Sequence, residues 1–191
     1  MQHNKVFRDY RHLARLFKDG PEFVAFDTET TGLYPDTGRV IEIGAVKFDA
    51  TGILDTYNVL INPECSISPQ ISRISHIDDA MVVACPTIRT VLPVFLGFIG
   101  TSTLVAHNAG FDVGFMNAEL ARSSLKTLSN SVVDTLELSR WAYPTLTKHS
   151  LQFLARALSI EVRNAHRASD DARVCMEVFL HCLHDTASVQ K

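Results

Sequence analysis

Asp27 and Glu29 stand two residues apart at the end of an apolar run, in the stretch FVAFDTETTGL from Phe23 to Leu33. Side chains alternate along a strand, so positions i and i+2 face the same way. An extended chain here projects two carboxylates side by side, where each raises the other's pKa. One acid at a strand end is commonplace. Two on one face, followed by Thr30, Thr31 and Gly32, are less casual, because glycine permits a sharp turn that lets a ligand approach the backbone. A second cluster, HNAGFD from His107 to Asp112, runs a short apolar strand into a helix start, with Asp112 in the first turn. An acid there is also favoured by the helix dipole alone. A third, HRASDDA from His166 to Ala172, sets His166 and Asp171 near another helix start. The adjacent Asp170 and Asp171 cannot share one helix face, so one caps the helix while the other reaches inward.

Each cluster has an ordinary structural explanation by itself. A fold that gathers all three assembles Asp27, Glu29, Asp112 and Asp171, and four carboxylates in a dry site repel strongly unless cations bind. Oxygen-only ligands suit hard ions such as Mg²⁺ or Mn²⁺. Two such ions, roughly 3.5–4 Å apart, clamp the attacking and leaving oxygens of a phosphodiester. His166, with an ordinary pKa of about 6.5, is suited to take the proton of the attacking water.

The elements that must position these groups are legible in part. Val6, Tyr10, Leu13 and Phe17 follow helical spacing and predict a helix over 6–18, with Arg8, Arg11, Arg15 and Lys18 on a solvated face. Gly20-Pro21 ends it. Strands are predicted over 22–28, 39–49 and 56–61, with a turn at Thr51-Gly52, and their short connections favour antiparallel neighbours. Short helical pieces fill 62–83. Residues 86–99 have helical periodicity, with Pro93 expected to kink or split the helix. Further strands are predicted at 103–106 and 131–135, and a helix from HNAGFD to about Ser123. Ser150 is a plausible N-cap before Leu151, and a last helix runs over about 170–184 with Cys175, Val178, Phe179 and Cys182 inward. Strands first, then strands alternating with helices, is an α/β pattern with a mixed sheet.

Composition narrows the function classes. At 191 residues, 46% hydrophobic and 20% charged, the chain is long enough for one domain with a proper core. A net charge of −3 argues against a strong nonspecific DNA binder, but not against an enzyme that handles nucleic acid through metal ions. No apolar run approaches a membrane span, and the N-terminal stretch lacks the apolar core of a signal peptide, so a cytoplasmic protein is expected. Cys65, Cys85, Cys175 and Cys182 form no C-x-x-C pair and are read as small core residues in a reducing compartment.

The three clusters, in order, resemble the three exonuclease motifs of the DnaQ-like superfamily, DEDDh branch. FDTETTG resembles the first motif, HNAGFD the second and HRASDDA the third, with the flanking segments PTIRTVLPVFLGFI, VVDTLELSRWAYP and HSLQFLARAL also similar. The histidine branch is indicated because His166 lies five residues before Asp171, while the position where the DEDDy branch has tyrosine is Arg167. The resemblance implies a ribonuclease H-like α/β fold, a five-stranded mixed sheet flanked by helices in a single domain. It implies an N-terminal helical extension over 1–20, the exonuclease domain over 21–185 and a short tail over 186–191.

It further implies 3′→5′ removal of nucleoside monophosphates from single-stranded 3′ ends. Asp27, Glu29, Asp112 and Asp171 would be the acids for two divalent ions, Mg²⁺ or Mn²⁺, and His166 the general base. Thr30 and Leu33 would hold the terminal nucleotide, with Leu33 wedged against its base. Asn108 and Phe111 would line the same pocket, and His107 would order the turn of the second motif. The first motif looks more like that of DNA proofreading subunits, which favours DNA. The alternatives are a 3′→5′ exoribonuclease of the RNase T type and a non-catalytic nucleic-acid-binding module. Replicative members usually carry a C-terminal tail for polymerase contacts, longer than Thr186 to Lys191, so a standalone exonuclease fits as well as a partner of a polymerase or repair assembly.

Overall fold

Alternation along the first strand sets the architecture. In β1 (Phe23–Thr30), Phe23 and Ala25 join one buried layer, Val24 and Phe26 another, and none of the four is accessible to solvent. A strand buried on both faces must lie inside a sheet covered on each side. In the computed structural model, which describes residues 5–188 and side chains as far as His184, β1 does so. On one side it pairs antiparallel with β2 (Val40–Asp49), which pairs antiparallel with β3 (Gly52–Leu60). On the other it pairs parallel with β4 (Thr103–Ala106), which pairs parallel with β5 (Val132–Asp134). The order β3-β2-β1-β4-β5 is the expected five-stranded mixed sheet.

Helices cover both faces. Leu13 of α1 (Tyr10–Lys18), Leu138 of α6 (Thr135–Ala142), Leu154 of α7 (Leu151–Ala157) and the inner face of α8 (Ala168–Ser188) pack on the layer containing Phe23 and Ala25. The other layer is covered by α4 (Ile88–Ile99) and α5 (Gly110–Arg122). The short helices α2 (Pro69–Ser75) and α3 (Asp79–Val82) flank a satellite cluster around Ile41, Ile67 and Ile77. Phe179 of α8 meets Phe23, Phe17 and Phe48 at centroid distances of 5.3, 5.5 and 5.6 Å. Such tilted and edge-on pairs each add about 0.5–1.5 kcal/mol beyond their area burial, and they lock α8 across β1 and β2. Gly44 of β2 permits that contact. A Cβ there would lie 2.1 Å from the Ala168 carbonyl carbon and 2.2 Å from the Ser169 nitrogen, at the start of α8.

Several boundaries differ from expectation, each for a local reason. The first helix starts at Tyr10, capped by Asp9, whose side chain accepts the His12 N–H at 2.9 Å. Residues 5–7 instead extend the sheet edge. Phe7 N–H donates to the Val132 carbonyl and Val132 N–H to the Lys5 carbonyl, both at 2.9 Å, so Val6 and Arg8 leave the helical pattern. Arg11, Arg15 and Lys18 are exposed, as a solvated face requires. Helix α4 runs through Pro93 as one element. Pro93 and Arg89, whose carbonyl loses its donor, both lie on the exposed side, where the freed group is open to solvent. Ser150 occupies the N-cap position of α7, but its hydroxyl makes no cap bond. Cys175 and Cys182 are core residues as read, whereas Cys65 is exposed and Cys85 partly so. The last helix begins two residues early, at Ala168; the end of the tail, 189–191, lies outside the described residues.

Candidate active site

The carboxyl end of β1 is where three elements deliver acids. Asp27 and Glu29 project from β1 toward the α8 face, and Asp171 descends from the first turn of α8. One oxygen of each lies within 4.8 Å of the others. Asp112 arrives from the first turn of α5 on the opposite side of the strand. Its Oδ1 accepts the Thr28 N–H at 2.9 Å and the Thr28 hydroxyl at 2.7 Å, which fastens it to the residue between the two β1 acids. The approach of α5 depends on Asn108, in the left-handed region at φ 59°, a conformation asparagine tolerates. Its N–H is held by Asp134 Oδ1 at 3.0 Å, and the same oxygen caps α6 through Leu136 N–H.

The paired aspartates of the third motif divide their work. Asp170 Oδ2 accepts the N–H groups of Arg163 and Asn164, each at 2.7 Å, and Oδ1 accepts from Arg173, so it fixes the loop before α8. Asp171 turns inward. Its Oδ2 accepts the His166 N–H at 3.2 Å and its Oδ1 the Gln152 side-chain amide at 3.1 Å. His166, at φ 60°, is thereby tied through its backbone to the carboxylate cluster while its ring remains exposed to solvent.

Crowding and burial leave a clear electrostatic signature. Burial pushes Glu29 up to about 8, reinforced by Asp171, Glu42 and Asp112 and opposed by Arg167. Burial raises Asp112 to about 7 despite its bonds to Thr28, and Asp171 to about 6 despite the nearby His166. Asp27 is raised well above the usual range by burial and then by Asp112, Asp171, Glu29 and Glu42. Asp170, also burdened by burial, is nevertheless held below the usual range by its backbone and Arg173 partners.

Glu42 and Arg167 belong to this constellation and were not singled out by the sequence reading as functional. Glu42 faces Glu29 across the β1–β2 ladder and is inaccessible to solvent. Arg167 grips it with two bonds of 3.0 and 2.7 Å, and Ala168 N–H adds a third at 3.0 Å. Glu42 is thus committed to positioning the start of α8, and Arg167 leaves a fixed positive charge beside Glu29. The available signal was an acid between Ile41 and Ile43 in a strand otherwise apolar at those positions, since a buried charge requires a partner.

The residues expected to hold a terminal nucleotide are distributed around the same end. Thr30 is buried and donates its hydroxyl to the Gly32 carbonyl at 2.7 Å, which shapes the turn. Leu33 and the adjacent Tyr34 each expose 72% of their surface at the tip of that turn, an apolar and aromatic pair facing solvent. Asn108 is exposed, and Phe111 is half-buried against Phe115 at 4.8 Å. His107 is a tether: Nδ1 lies 2.9 Å from the Thr135 hydroxyl and the ring also bonds the His149 backbone. Burial holds its pKa down at about 4, so it is neutral at working pH.

A pH dependence follows. Carboxylates whose folded pKa is raised bind more protons native than unfolded, so stability falls as pH rises through their range. His107 opposes this only below its ordinary value of 6.5. In EDTA the melting temperature should therefore fall between about pH 6.5 and 8.5, the span containing the values for Glu29 and Asp112. Mg²⁺ should raise it more at the upper end. A flat or rising profile in EDTA would contradict the electrostatic account.

The donor set fits divalent metal ions. It is all oxygen, in excess of local positive charge, and three of its members are near one point. At an Mg–O distance of about 2.1 Å, two oxygens on one ion are at most about 4.2 Å apart, so small side-chain rotations suffice. Among the described residues no other group of three or more such side chains comes together in this way.

Comparison with known proteins shows the family. The exonuclease family model matches residues 24–179. The chain is 46% identical over 181 residues to the DNA polymerase III subunit epsilon of Treponema pallidum, covering 94% of this chain and 80% of that one. It is 45% identical over 157 residues to the PolC-type DNA polymerase III of Clostridium perfringens, spanning 82% of this chain but only 11% of that much longer protein. Among solved structures, Exonuclease X in complex with 5′ overhanging duplex DNA superposes with a TM-score of 0.68 at 29% identity, covering 87% and 93% of the two chains. A 3′-exonuclease that recognises the histone mRNA stem-loop superposes at 0.77 over 87% and 83% of the chains, but at 17% identity that likeness speaks for the fold alone.

Proposed function

The chain belongs to the exonuclease family that its residues 24–179 match, as a 3′→5′ nucleic-acid exonuclease, and from that premise we propose that it removes nucleoside 5′-monophosphates from single-stranded DNA 3′ ends with two divalent cations, Mg²⁺ or Mn²⁺. The observation that carries the proposal is the meeting of Asp27, Glu29 and Asp171 within 4.8 Å, with Asp112 fastened beside them by Thr28. Asp27, Glu29 and Asp171 would hold one ion, and Asp27 with Asp112 would hold the other. When bound, the cations polarise the phosphodiester and stabilise the charge that develops on it.

The chain's own groups do the remainder. Leu33, with Tyr34 beside it, meets the terminal base, and Thr30 holds the turn that presents them. Asn108 and Phe111 bound the pocket on the α5 side. His166 accepts the proton of the attacking water; its exposed ring passes it to solvent, while the His166 N–H bond to Asp171 keeps the ring beside the cluster. Arg167 and Glu42 hold the start of α8 and act as positioning residues.

DNA is favoured over RNA because the relatives with substantial identity are DNA polymerase III components. The same likeness supports association with a DNA polymerase or repair assembly in the cytoplasm. Among the described residues no helix is long and apolar enough to cross a membrane. Residues 21–185 form the exonuclease domain in this reading, 1–20 its N-terminal extension and 186–191 its tail.

The test uses 5′-labelled single-stranded DNA and RNA of matched sequence with Mg²⁺, Mn²⁺ or EDTA. The expected result is a metal-dependent ladder shortening from the 3′ end, at least about tenfold faster on DNA, since a site built around one sugar penalises the other by roughly 1.4 kcal/mol or more. Faster RNA degradation would transfer the assignment to the exoribonuclease class. No ladder on either would leave a binding module.

A further inference from the structure

A groove of about 760 Å³ opens beside the carboxylate cluster, between the turn of the second motif and the loop joining α6 to α7. Its walls include His107, Asn108, Arg140, Lys148, His149 and Ser150. One end adjoins the site: Asn108 lies in the turn that launches Asp112, and Leu151 precedes Gln152, whose amide touches Asp171. We infer that this groove carries the sugar-phosphate backbone of the strand upstream of the scissile bond, with Lys148 neutralising a phosphate there. The inference rests on the exonuclease reading above and extends it to the substrate's upstream portion.

Charge distribution points to this role. The cluster gathers Asp27, Glu29, Glu42, Asp112 and Asp171 against one nearby arginine, and the whole chain carries a net −3. A polyanion approaching such a surface needs local positive potential. The groove supplies it: Arg140 and Lys148 line it and no carboxylate does. Arg140 already shares its charge with Glu137 in an exposed pair, whereas Lys148 makes no ion pair among the described residues. Lys148 is exposed and therefore accessible to a strand.

The groove is also built, not merely open. The His107 ring ties the turn of the second motif to the His149 backbone, and His149 Nδ1 lies 3.1 Å from the Ser139 hydroxyl of α6. Both walls are therefore held to one another by these contacts, while Arg140 and Lys148 remain exposed. The Ser150 hydroxyl, exposed and unused as a helix cap, stands on the same wall as a donor suited to a phosphate oxygen.

The experiment compares two substrates. A single-stranded DNA of about a dozen nucleotides has upstream phosphates; the p-nitrophenyl ester of thymidine 5′-monophosphate has none. Lys148→Ala should raise KM on the oligonucleotide about fivefold at low salt and make the slope of log kcat/KM against log salt shallower by about 0.7, the loss of one single-strand phosphate contact. Lys148→Glu should deepen the loss, and the ester should change less than threefold with either. Lys126→Ala, at an exposed lysine outside the groove, is the reference. Parallel losses on both substrates, or a KM and salt slope like those of Lys126→Ala, would overturn the groove assignment while leaving the exonuclease reading intact. Wild-type protein inactive on both substrates would remove the premise itself.

Discussion

Asp27→Asn is expected to reduce kcat by on the order of 10³-fold or more while raising the melting temperature in EDTA. The first half follows from place. Asp27 feels the charges of Asp112, Asp171, Glu29 and Glu42, so its removal should reach both proposed ions at once. Losing one preorganised electrostatic contact at developing charge typically costs about 10²–10³ in rate, and a group shared by two ions should lie at or beyond that limit. The second half follows from the same crowding. Burial and four neighbouring carboxylates disfavour the Asp27 charge, so a neutral isostere relieves repulsion in the absence of cations. The variant should also lose most of the stabilisation that Mg²⁺ gives the parent protein, since that stabilisation requires binding to the native state. Thermal melts with and without Mg²⁺, beside single-turnover assays, check all three. A variant that is inactive and destabilised in EDTA would make Asp27 a structural residue.

Gly44→Ala should be nearly as damaging to activity although Gly44 carries no chemistry. It lies opposite Asp27 in the β1–β2 register, and a methyl there would meet the Ala168 and Ser169 backbone at 2.1–2.3 Å. Those atoms begin α8 and cannot rotate aside, so the helix start must move. Overpacking usually costs about 1–3 kcal/mol; a clash with backbone at this distance should reach about 3 kcal/mol or more. For a chain of this size that is a melting-temperature loss of roughly 6–12 °C. Asp171 and His166 are borne by the same helix start, and a displacement of about 1 Å lowers turnover by about 100-fold. Both effects are read in one preparation, by melting and by initial rates well below the transition. Normal activity in a normally stable variant would show that α8 does not rest on Gly44.

The carboxylates and histidine of the candidate site are more legible in the sequence than the frame that holds them. Asp27 and Glu29 declare themselves by a two-residue spacing, and Asp112, His166 and Asp171 by their place at helix starts. Their convergence, however, is a long-range event: Asp112 reaches Thr28 across 84 residues, and Arg167 reaches Glu42 across 125. No local periodicity encodes such contacts. Gly44 was invisible for the same reason, because its significance is the backbone that passes over it. At the N-terminus, the helical spacing of Val6 with Tyr10 suggested a longer helix. Pairing with Val132 won, since an open sheet edge offers residues 5–7 hydrogen bonds that one more helical turn ahead of the Asp9 cap would have to replace. Pro93 misled in the opposite direction, because periodicity does not reveal that the lost hydrogen bond faces water.

Direct titration of Mn²⁺ into the protein with thymidine 5′-monophosphate present, followed by calorimetry, tests the central claim that the gathered carboxylates exist to hold metal ions at a phosphate. The account predicts about two ions per chain for the parent protein, and a clear loss of that binding for Asp27→Asn. A parent protein that binds no Mn²⁺ beyond what Asp27→Asn retains would contradict it.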